Sequence, residues 1–156
     1  MVRPDGASAS SNAAVILSAS KRDGFAAFEG EPSSRLLNPM GSVHGGWPLT
    51  LIDSATGCAA NSLLPAGVGY TTVETKGSFS RPIKPDTGRV RAEGRVASQC
   101  RQIITAEARV LAMDGRVLSH GTSTLLVLSP VQAVVEACRL ACFETHASTH
   151  RGCCPV

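Results

Sequence analysis

One carboxylate stands alone within an apolar stretch of the sequence. Between residues 45 and 64, Asp53 is the only Asp, Glu, Lys, Arg or His. Burying an unpaired carboxylate is unfavourable, so its presence there indicates either a function or a hidden partner. A carboxylate in such surroundings can serve as a general base. The alternative interpretation is that Asp53 points to a solvent gap or bonds a neighbouring loop, and the residue alone does not decide between them.

The segment just before this stretch supplies glycines to a predicted helix start. Residues 41–46 are Gly-Ser-Val-His-Gly-Gly. Free N–H groups and the positive end of the helix dipole favour an oxygen that carries negative charge. A thioester carbonyl gains such charge when it is attacked, and glycines let a substrate approach the backbone. Taken alone, a Gly-Gly pair before a helix is more often a simple turn.

A helix over residues 45–64 must position this carboxylate. Pro48 fits the first turn of a helix, where its missing N–H is not needed. Apolar and small residues recur at helical spacing at Leu49, Ile52, Thr56, Ala59, Ala60 and Leu63. The opposite side is apolar or small as well, so we predict a helix that is buried all round.

The segments after residue 68 alternate with a period of two. Polar and apolar residues exchange places through residues 89–96 and 104–112, which is typical of strands with one buried face. Turn residues divide the region into four predicted strands, 69–82, 88–98, 101–113 and 115–128, arranged as a meander. Residues 24–31 are a candidate first strand and residues 32–46 a loop. One buried helix and a long antiparallel sheet predict an α+β fold, with the sheet wrapped around the helix.

The chain divides into one domain and two flanking segments. We expect residues 1–20 to be unstructured, residues 21–128 to form the domain, and residues 129–156 to hold a short helix followed by a tail. The tail contains Cys138-x3-Cys142 and His146-x3-His150, a spacing that can share a metal on a helix. It matches no zinc module, so we expect no metal site there.

The loop and the helix together resemble a known family. Asn38 to Gly46, followed by Asp53, matches the signature N-x-x-G-x-x-H-G-G-x(6)-D of PaaI-like hotdog-fold thioesterases, within the 4-hydroxybenzoyl-CoA thioesterase superfamily. The similarity continues through residues 72–74, 79–82, 115–116 and 121–124. It spans residues 24–128, and the combined motif is specific although each part alone is not.

The resemblance implies a hotdog fold, an acyl-CoA thioesterase activity and a role for each matched residue. Gly45 would offer its N–H to the thioester carbonyl, and Asp53 would be the general base or the nucleophile. Three other positions would assist at the site: Asn38 in placing water or thioester, His44 in orienting the loop, and Thr72 across a dimer interface. The family also implies a homodimer or homotetramer with an aromatic or medium-chain acyl-CoA substrate and no metal or redox cofactor, CoA being part of the substrate.

Three further positions are candidates for CoA binding. Gly46 belongs to the same glycine pair, and Arg81 and Arg101 could contact the CoA phosphates. The alternative interpretation is that both arginines are solvated loop charges.

Two other functions remain open. One is an acyl-CoA-binding hotdog protein without catalysis. The other is an enoyl-CoA hydratase or dehydratase, but those enzymes need a histidine five residues after the aspartate, where this chain has Cys58. We expect Cys58 to be a core residue rather than a nucleophile.

Composition excludes several other classes. The net charge of +3 and the lack of a basic run argue against nucleic acid. The most apolar stretch carries Asp53 and several hydroxyls, which argues against a membrane span. The sequence shows no signal peptide. Its six cysteines are not distributed as in a secreted, disulfide-rich domain, so we expect a cytoplasmic protein with reduced thiols.

Overall fold

The computed structural model of the protein describes residues 16–128. In this range the chain forms six strands and one α-helix. In chain order they are β1 (Ile16–Arg22), β2 (Phe25–Gly30), α1 (Gly46–Asn61), β3 (Tyr70–Phe79), β4 (Val90–Gln99), β5 (Ile103–Ala112) and β6 (Val117–Val127). Two short 3-10 turns, Ser34–Leu36 and Pro85–Thr87, lie in the connections.

All six strands belong to one antiparallel sheet with the order β1-β2-β4-β5-β6-β3. The helix α1 packs on one face of this sheet and contacts all six strands. The predicted α+β architecture, a sheet wrapped around one central helix, is therefore confirmed.

The predicted four-strand meander is only partly correct. Strands β4, β5 and β6 follow one another as neighbours, but β3 pairs with β6 at the edge of the sheet and not with β4. The link from Ser80 to Arg89, which contains two prolines, carries the chain away from β3 so that β4 pairs with β2. Alternating polarity shows which face of a strand is buried but does not determine its neighbours.

The element boundaries agree with the prediction to within a few residues, with one addition. Strand β1 was not predicted, and the proposed domain start at residue 21 falls inside it. The predicted helix after residue 128 and the Cys/His tail lie outside the described residues, as do residues 1–15.

The helix α1 is buried on the side that faces the sheet. The residues with little or no exposure are Trp47, Pro48, Leu51, Ile52, Ala55, Thr56, Gly57, Ala59 and Ala60. On the other side Leu49, Asp53 and Cys58 are half-buried and Thr50 is exposed. Among residues 16–128 the prediction of a helix buried all round is thus wrong, because the sheet covers only one side of it.

Two glycines in the sheet allow α1 to approach closely. A Cβ atom on Gly94 of β4 would overlap the backbone carbonyl of Ala55. A Cβ atom on Gly121 of β6 would overlap the Lys76 carbonyl and lie 3.1 Å from Cγ2 of Ile52. These contacts set the depth at which the helix, including Asp53, lies on the sheet.

Within residues 16–128, no helix combines the length and the hydropathy that crossing a bilayer requires.

We predict that Gly94→Ala destabilises the fold strongly, because the added methyl group meets helix backbone that cannot rotate away. The free energy of unfolding should fall by about 3 kcal/mol, near the upper end for overpacked cores. Denaturant unfolding measures the change.

Gly67→Ala is the matched control, since a Cβ at this position would meet nothing within 4 Å although φ is +82°. It should cost about 1 kcal/mol of backbone strain. Equal losses for the two variants would contradict close packing at Gly94.

Candidate active site

The carboxylate of Asp53 lies where the side of α1 facing away from the sheet meets strand β3. It is half-buried, and its Oδ1 accepts a hydrogen bond of 3.0 Å from the hydroxyl of Thr75. No Lys, Arg or His among residues 16–128 lies within ion-pair distance of it. Within the described range the side chain is thus held by one hydroxyl group and has no neighbouring cation.

An open groove of about 390 Å³ passes over this carboxylate, and we call it the Asp53 groove. Its walls come from the first two turns of α1 and from the middle of β3, namely Gly46, Leu49, Thr50, Asp53, Thr72, Val73, Glu74 and Thr75. Three of the predicted site residues, Gly46, Asp53 and Thr72, therefore line one cavity.

Thr75 is a site residue that the sequence analysis missed, and a β-bulge explains why. The pairing of β3 with β6 shifts register between Thr72 and Glu74. Thr72 therefore pairs with Leu125 and Thr75 with Ser123, two residues of β6 that are both buried toward the helix. In a regular strand, residues three apart point to opposite faces. Alternation from Thr72 would have placed Thr75 on the wrong side, and nothing in the sequence marks the bulge.

The start of α1 presents one backbone donor that no group in residues 16–128 accepts from. Gly46 N–H donates to Nδ1 of His44 at 3.0 Å, and Trp47 N–H donates to the His44 carbonyl at 3.0 Å. Among residues 16–128 no acceptor lies in hydrogen-bond reach of the Gly45 N–H. The contact of His44 with Gly46 joins its side chain to the helix start, and Gly45 is the position that can still bind an oxygen.

A second cavity of about 280 Å³ lies at this helix start, and we call it the Gly45 pocket. Its lining is Asn38, Ser42, Val43, Gly45, Pro48, Phe79, Ser80, Arg81, Pro82, Ile83 and Ser119. The ring of Phe79 packs so closely on Gly45 that a Cβ there would lie 3.0 Å from Cζ. The hydroxyl of Ser119 is buried and has no hydrogen-bond partner among the described residues.

Asn38 uses its side-chain amide within its own loop. Its Oδ1 accepts from the N–H groups of Met40 and Ser42 at 3.0 and 3.2 Å, and its Nδ2 donates to the Ser42 hydroxyl at 2.9 Å. These bonds close residues 38–42 into a compact turn beside the Gly45 pocket. A role for Asn38 in placing water or thioester stays a prediction.

The two arginine candidates lie apart. Arg81 lines the Gly45 pocket, is exposed, and donates from Nη1 to the Val117 carbonyl at 2.7 Å. Arg101 lies in the exposed turn between β4 and β5 and lines neither cavity. A contact of either residue with CoA phosphates stays a prediction.

Cys58 lies half-buried on α1, five residues after Asp53. Burial raises the pKa of its thiol, and the charge of Lys21 lowers it by a smaller amount. Burial, and to a lesser extent the charges of Cys58 and Asp53, raises the pKa of Tyr70. Both groups are therefore neutral near pH 7, which agrees with a packing role for Cys58, because the thiolate is the nucleophile.

Residues 40–119 match the family model of the thioesterase superfamily, which is just over half of the chain. The chain belongs to the thioesterase superfamily. The matched range contains the Asp53 groove, the Gly45 start of α1 and strands β3 to β5. The resemblance to hotdog-fold, PaaI-like thioesterases is thereby confirmed.

Solved structures of similar architecture support this placement. AziG of S. sahachiroi is 20% identical with a TM-score of 0.68, covering 71% of this chain and 90% of its own. PaaI of E. coli, from the phenylacetic acid degradation operon, is 22% identical with a TM-score of 0.62, covering 69% and 75%. At these identities both share the hotdog fold with this superfamily member.

The BH2602 protein of Bacillus halodurans, solved with CoA, is 29% identical with a TM-score of 0.61. The alignment covers 65% of this chain and 66% of BH2602. No curated protein sequence matches the chain.

We predict that Cys58→Ala leaves thioester hydrolysis within about twofold of the wild type, as is usual for a small change outside the reacting groups. Because its pKa is raised, the Cys58 thiol should be alkylated by iodoacetamide only above the pH at which an ordinary thiol reacts. Peptide-resolved mass spectrometry across pH 7–10 follows this reaction, with the exposed Cys100 as internal reference. Loss of activity in Cys58→Ala, or labelling of Cys58 before Cys100, would contradict the packing role.

Proposed function

We propose that the protein is an acyl-CoA thioesterase that uses Asp53 to hydrolyse the thioester of an aromatic or medium-chain acyl-CoA. The observation that supports it best is the placement of Asp53. One carboxylate oxygen is held by Thr75, and the side chain lines an open groove in which residues 16–128 place no neighbouring cation. A carboxylate so placed can take a proton from a water molecule or attack the carbonyl itself.

The Gly45 N–H supplies the second requirement of the reaction. Attack on a thioester carbonyl places negative charge on its oxygen, and a preorganised N–H donor stabilises that charge. Gly45 is the N-cap of the sixteen-residue helix α1, so the helix dipole adds to the attraction. The water oxygen then joins the acyl carbon, the carbon–sulfur bond breaks, and CoA leaves as its thiol. No metal or redox cofactor is required for these steps.

Asp53 and Gly45 of one chain do not face the same cavity. Gly45 lines the Gly45 pocket, whereas Asp53 lines the Asp53 groove. Eight residues of helix separate them by about 12 Å along the axis, whereas a bound carbonyl oxygen lies only about 3 Å from its N–H donor. We therefore propose that each site takes Asp53 from one copy and Gly45 from another.

Strand β3 gives a surface on which a second copy can pair. It is ten residues long, it is the last strand of the sheet, and its outer edge has no neighbour among the described residues. Val73 and Phe79 on this strand are 62% and 55% exposed. A long open edge with apolar side chains is a template for strand pairing, and Thr72 and Thr75 on the same strand line the groove. This supports a homodimer as the smallest active unit.

CoA as the leaving group is supported by the family and by one similar structure. BH2602, 29% identical to this chain, was solved with CoA. Residues 16–128 leave both cavities open, and a second copy would complete the walls that select the acyl group.

We predict that Asp53→Asn lowers kcat by about 10²–10⁴-fold, the range for loss of a general base. The substitution keeps the shape of the side chain, so CoA binding should persist. The measurement is release of free CoA thiol from a panel of acetyl-, hexanoyl-, octanoyl-, benzoyl- and phenylacetyl-CoA.

Asp86→Asn is the control for this variant, because Asp86 is an exposed carboxylate in a 3-10 turn outside both cavities. Acyl-CoA binding without Asp53-dependent turnover on any member of the panel would favour the non-catalytic binding protein. Addition of water to an enoyl-CoA would favour the hydratase.

We predict that two inactive variants restore activity when they share a dimer. Gly45→Pro removes the donor N–H, and the backbone at this position, with φ −57°, suits proline. It should lower kcat by about 10²–10³-fold, as expected for a lost oxyanion donor. Gly45→Ala is its control, since it adds a carbon near Phe79 but keeps the N–H.

Refolding or co-expressing Gly45→Pro with Asp53→Asn should regenerate one complete site in each mixed dimer. The specific activity of purified mixed dimers should then approach half that of the wild type. Mixed dimers as inactive as the parent variants would show that Asp53 and Gly45 act within one chain.

A further inference from the structure

We infer that Thr75, Ser123 and Thr56 form a chain of hydrogen-bonded hydroxyl groups that holds Oδ1 of Asp53 and leaves Oδ2 to act on the substrate water. The inference rests on the proposed thioesterase function and adds three positioning residues to it. None of the three is among the site residues assigned from the sequence, although Ser123 lies in the 121–124 stretch that resembles the family.

The chain of hydroxyl groups is continuous, and each of its contacts is short. The Thr75 hydroxyl lies 3.0 Å from Oδ1 of Asp53 and 3.0 Å from the hydroxyl of Ser123. The Ser123 hydroxyl lies 2.7 Å from that of Thr56. Ser123 and Thr56 are 2% and 0% exposed, whereas Thr75 is half-buried at the groove. The chain of hydroxyl groups thus runs from the interior of the protein to the carboxylate of Asp53.

The direction of the hydrogen bonds follows from counting protons. An ionised carboxylate can only accept, so the single hydroxyl proton of Thr75 points to Asp53. Thr75 must then accept from Ser123, and Ser123, having used its own proton, must accept from Thr56. The protons of Thr75 and Ser123 therefore point toward the carboxylate, whereas the single proton of Thr56 is shared between Ser123 and the backbone carbonyls of Ile52 and Asp53. Each bond strengthens the next in surroundings of low polarity.

The chain of hydroxyl groups begins and ends on the same helix, α1. Thr56 lies three residues after Asp53 on α1, and its hydroxyl also donates to the Ile52 carbonyl at 2.9 Å and to the Asp53 carbonyl at 3.1 Å. The path leaves α1 through Ser123 of β6 and returns through Thr75 of β3. It therefore ties the carboxylate to both strands and limits its rotation.

This arrangement divides the work between the two carboxylate oxygens. Oδ1 is engaged by Thr75, whereas no residue in the range 16–128 hydrogen-bonds Oδ2. A base held in one rotamer with one free oxygen presents that oxygen to water in a constant direction, and this raises kcat more than it affects substrate binding.

The test compares Thr75→Val, which keeps the shape but removes the hydroxyl, with Thr75→Ser, which keeps the hydroxyl. Thr75→Val should lower kcat by about tenfold, as expected for a lost hydrogen bond to a charged group, with little change in KM. Thr75→Ser should restore kcat to within about threefold of the wild type, and Ser123→Ala should fall between the two. Thr122→Val is the matched control, because Thr122 neighbours Ser123 on the exposed face of β6.

A second measurement does not depend on activity. In a double-mutant cycle of Thr75→Val with Asp53→Ala, the unfolding equilibrium constants should show a coupling of about tenfold at neutral pH. The corresponding cycle with Thr122→Val should show none.

The outcomes separate this inference from the proposed function. Coupling near zero, or a Thr75→Val enzyme with wild-type kcat, would overturn the hydroxyl chain even in an active thioesterase. A fall in activity that Thr75→Ser does not rescue, or that appears in KM alone, would also overturn it. Wild-type protein without turnover on the acyl-CoA panel would instead overturn the proposed function, and with it the catalytic role of the chain, while the coupling would still report whether the contact exists.

Discussion

The depth at which α1 lies on the sheet is the constraint on which the candidate site depends. Gly94 meets the carbonyl of Ala55, and Gly121 lies under Ile52, the residue before Asp53. Any side chain at these two positions would lift the helix away from the strands. Hydroxyl contacts of 2.7–3.0 Å between the helix, β6 and β3 survive only at this depth, because hydrogen bonds weaken steeply with distance. The geometry at the carboxylate therefore depends directly on the packing of the core.

Much of this arrangement is predictable from the sequence. Asp53 stands out because it is the only charged residue in an apolar helix, and the helix is recognisable from its spacing. The alternation of polar and apolar residues likewise identifies the strands and their buried faces. The neighbours of β3 were not predictable, because its place beside β6 depends on where the Ser80–Arg89 link leads the chain. Thr75 was not predictable either, because a bulge between Thr72 and Glu74 reverses the face to which it points.

The helix α1 is less buried than its composition predicts. The sequence predicts a helix buried all round, yet Leu49 is only half-buried, and Val73 and Phe79 on β3 are largely exposed. These residues lie around the Asp53 groove and the Gly45 pocket, so apolar surface and open cavities coincide. An apolar surface that the described residues leave uncovered is typical of an interaction site. Asp53 and Gly45 line different cavities, and in the proposed dimer a second copy would both bury these apolar residues and complete the site.

The choice of hydroxyl groups over a cation at Asp53 fits the chemistry of a base. An arginine would bind a carboxylate through two parallel hydrogen bonds and occupy both of its oxygens. A single hydroxyl occupies part of one oxygen and leaves the other oxygen with its lone pairs free. Thr75 adds no positive charge that would compete with the proton of an attacking water. The orientation of the carboxylate is instead secured behind Thr75, by two hydroxyls that solvent does not reach. This arrangement fixes the orientation of the carboxylate and leaves one of its oxygens free to accept a proton, which a two-bond ion pair would not do.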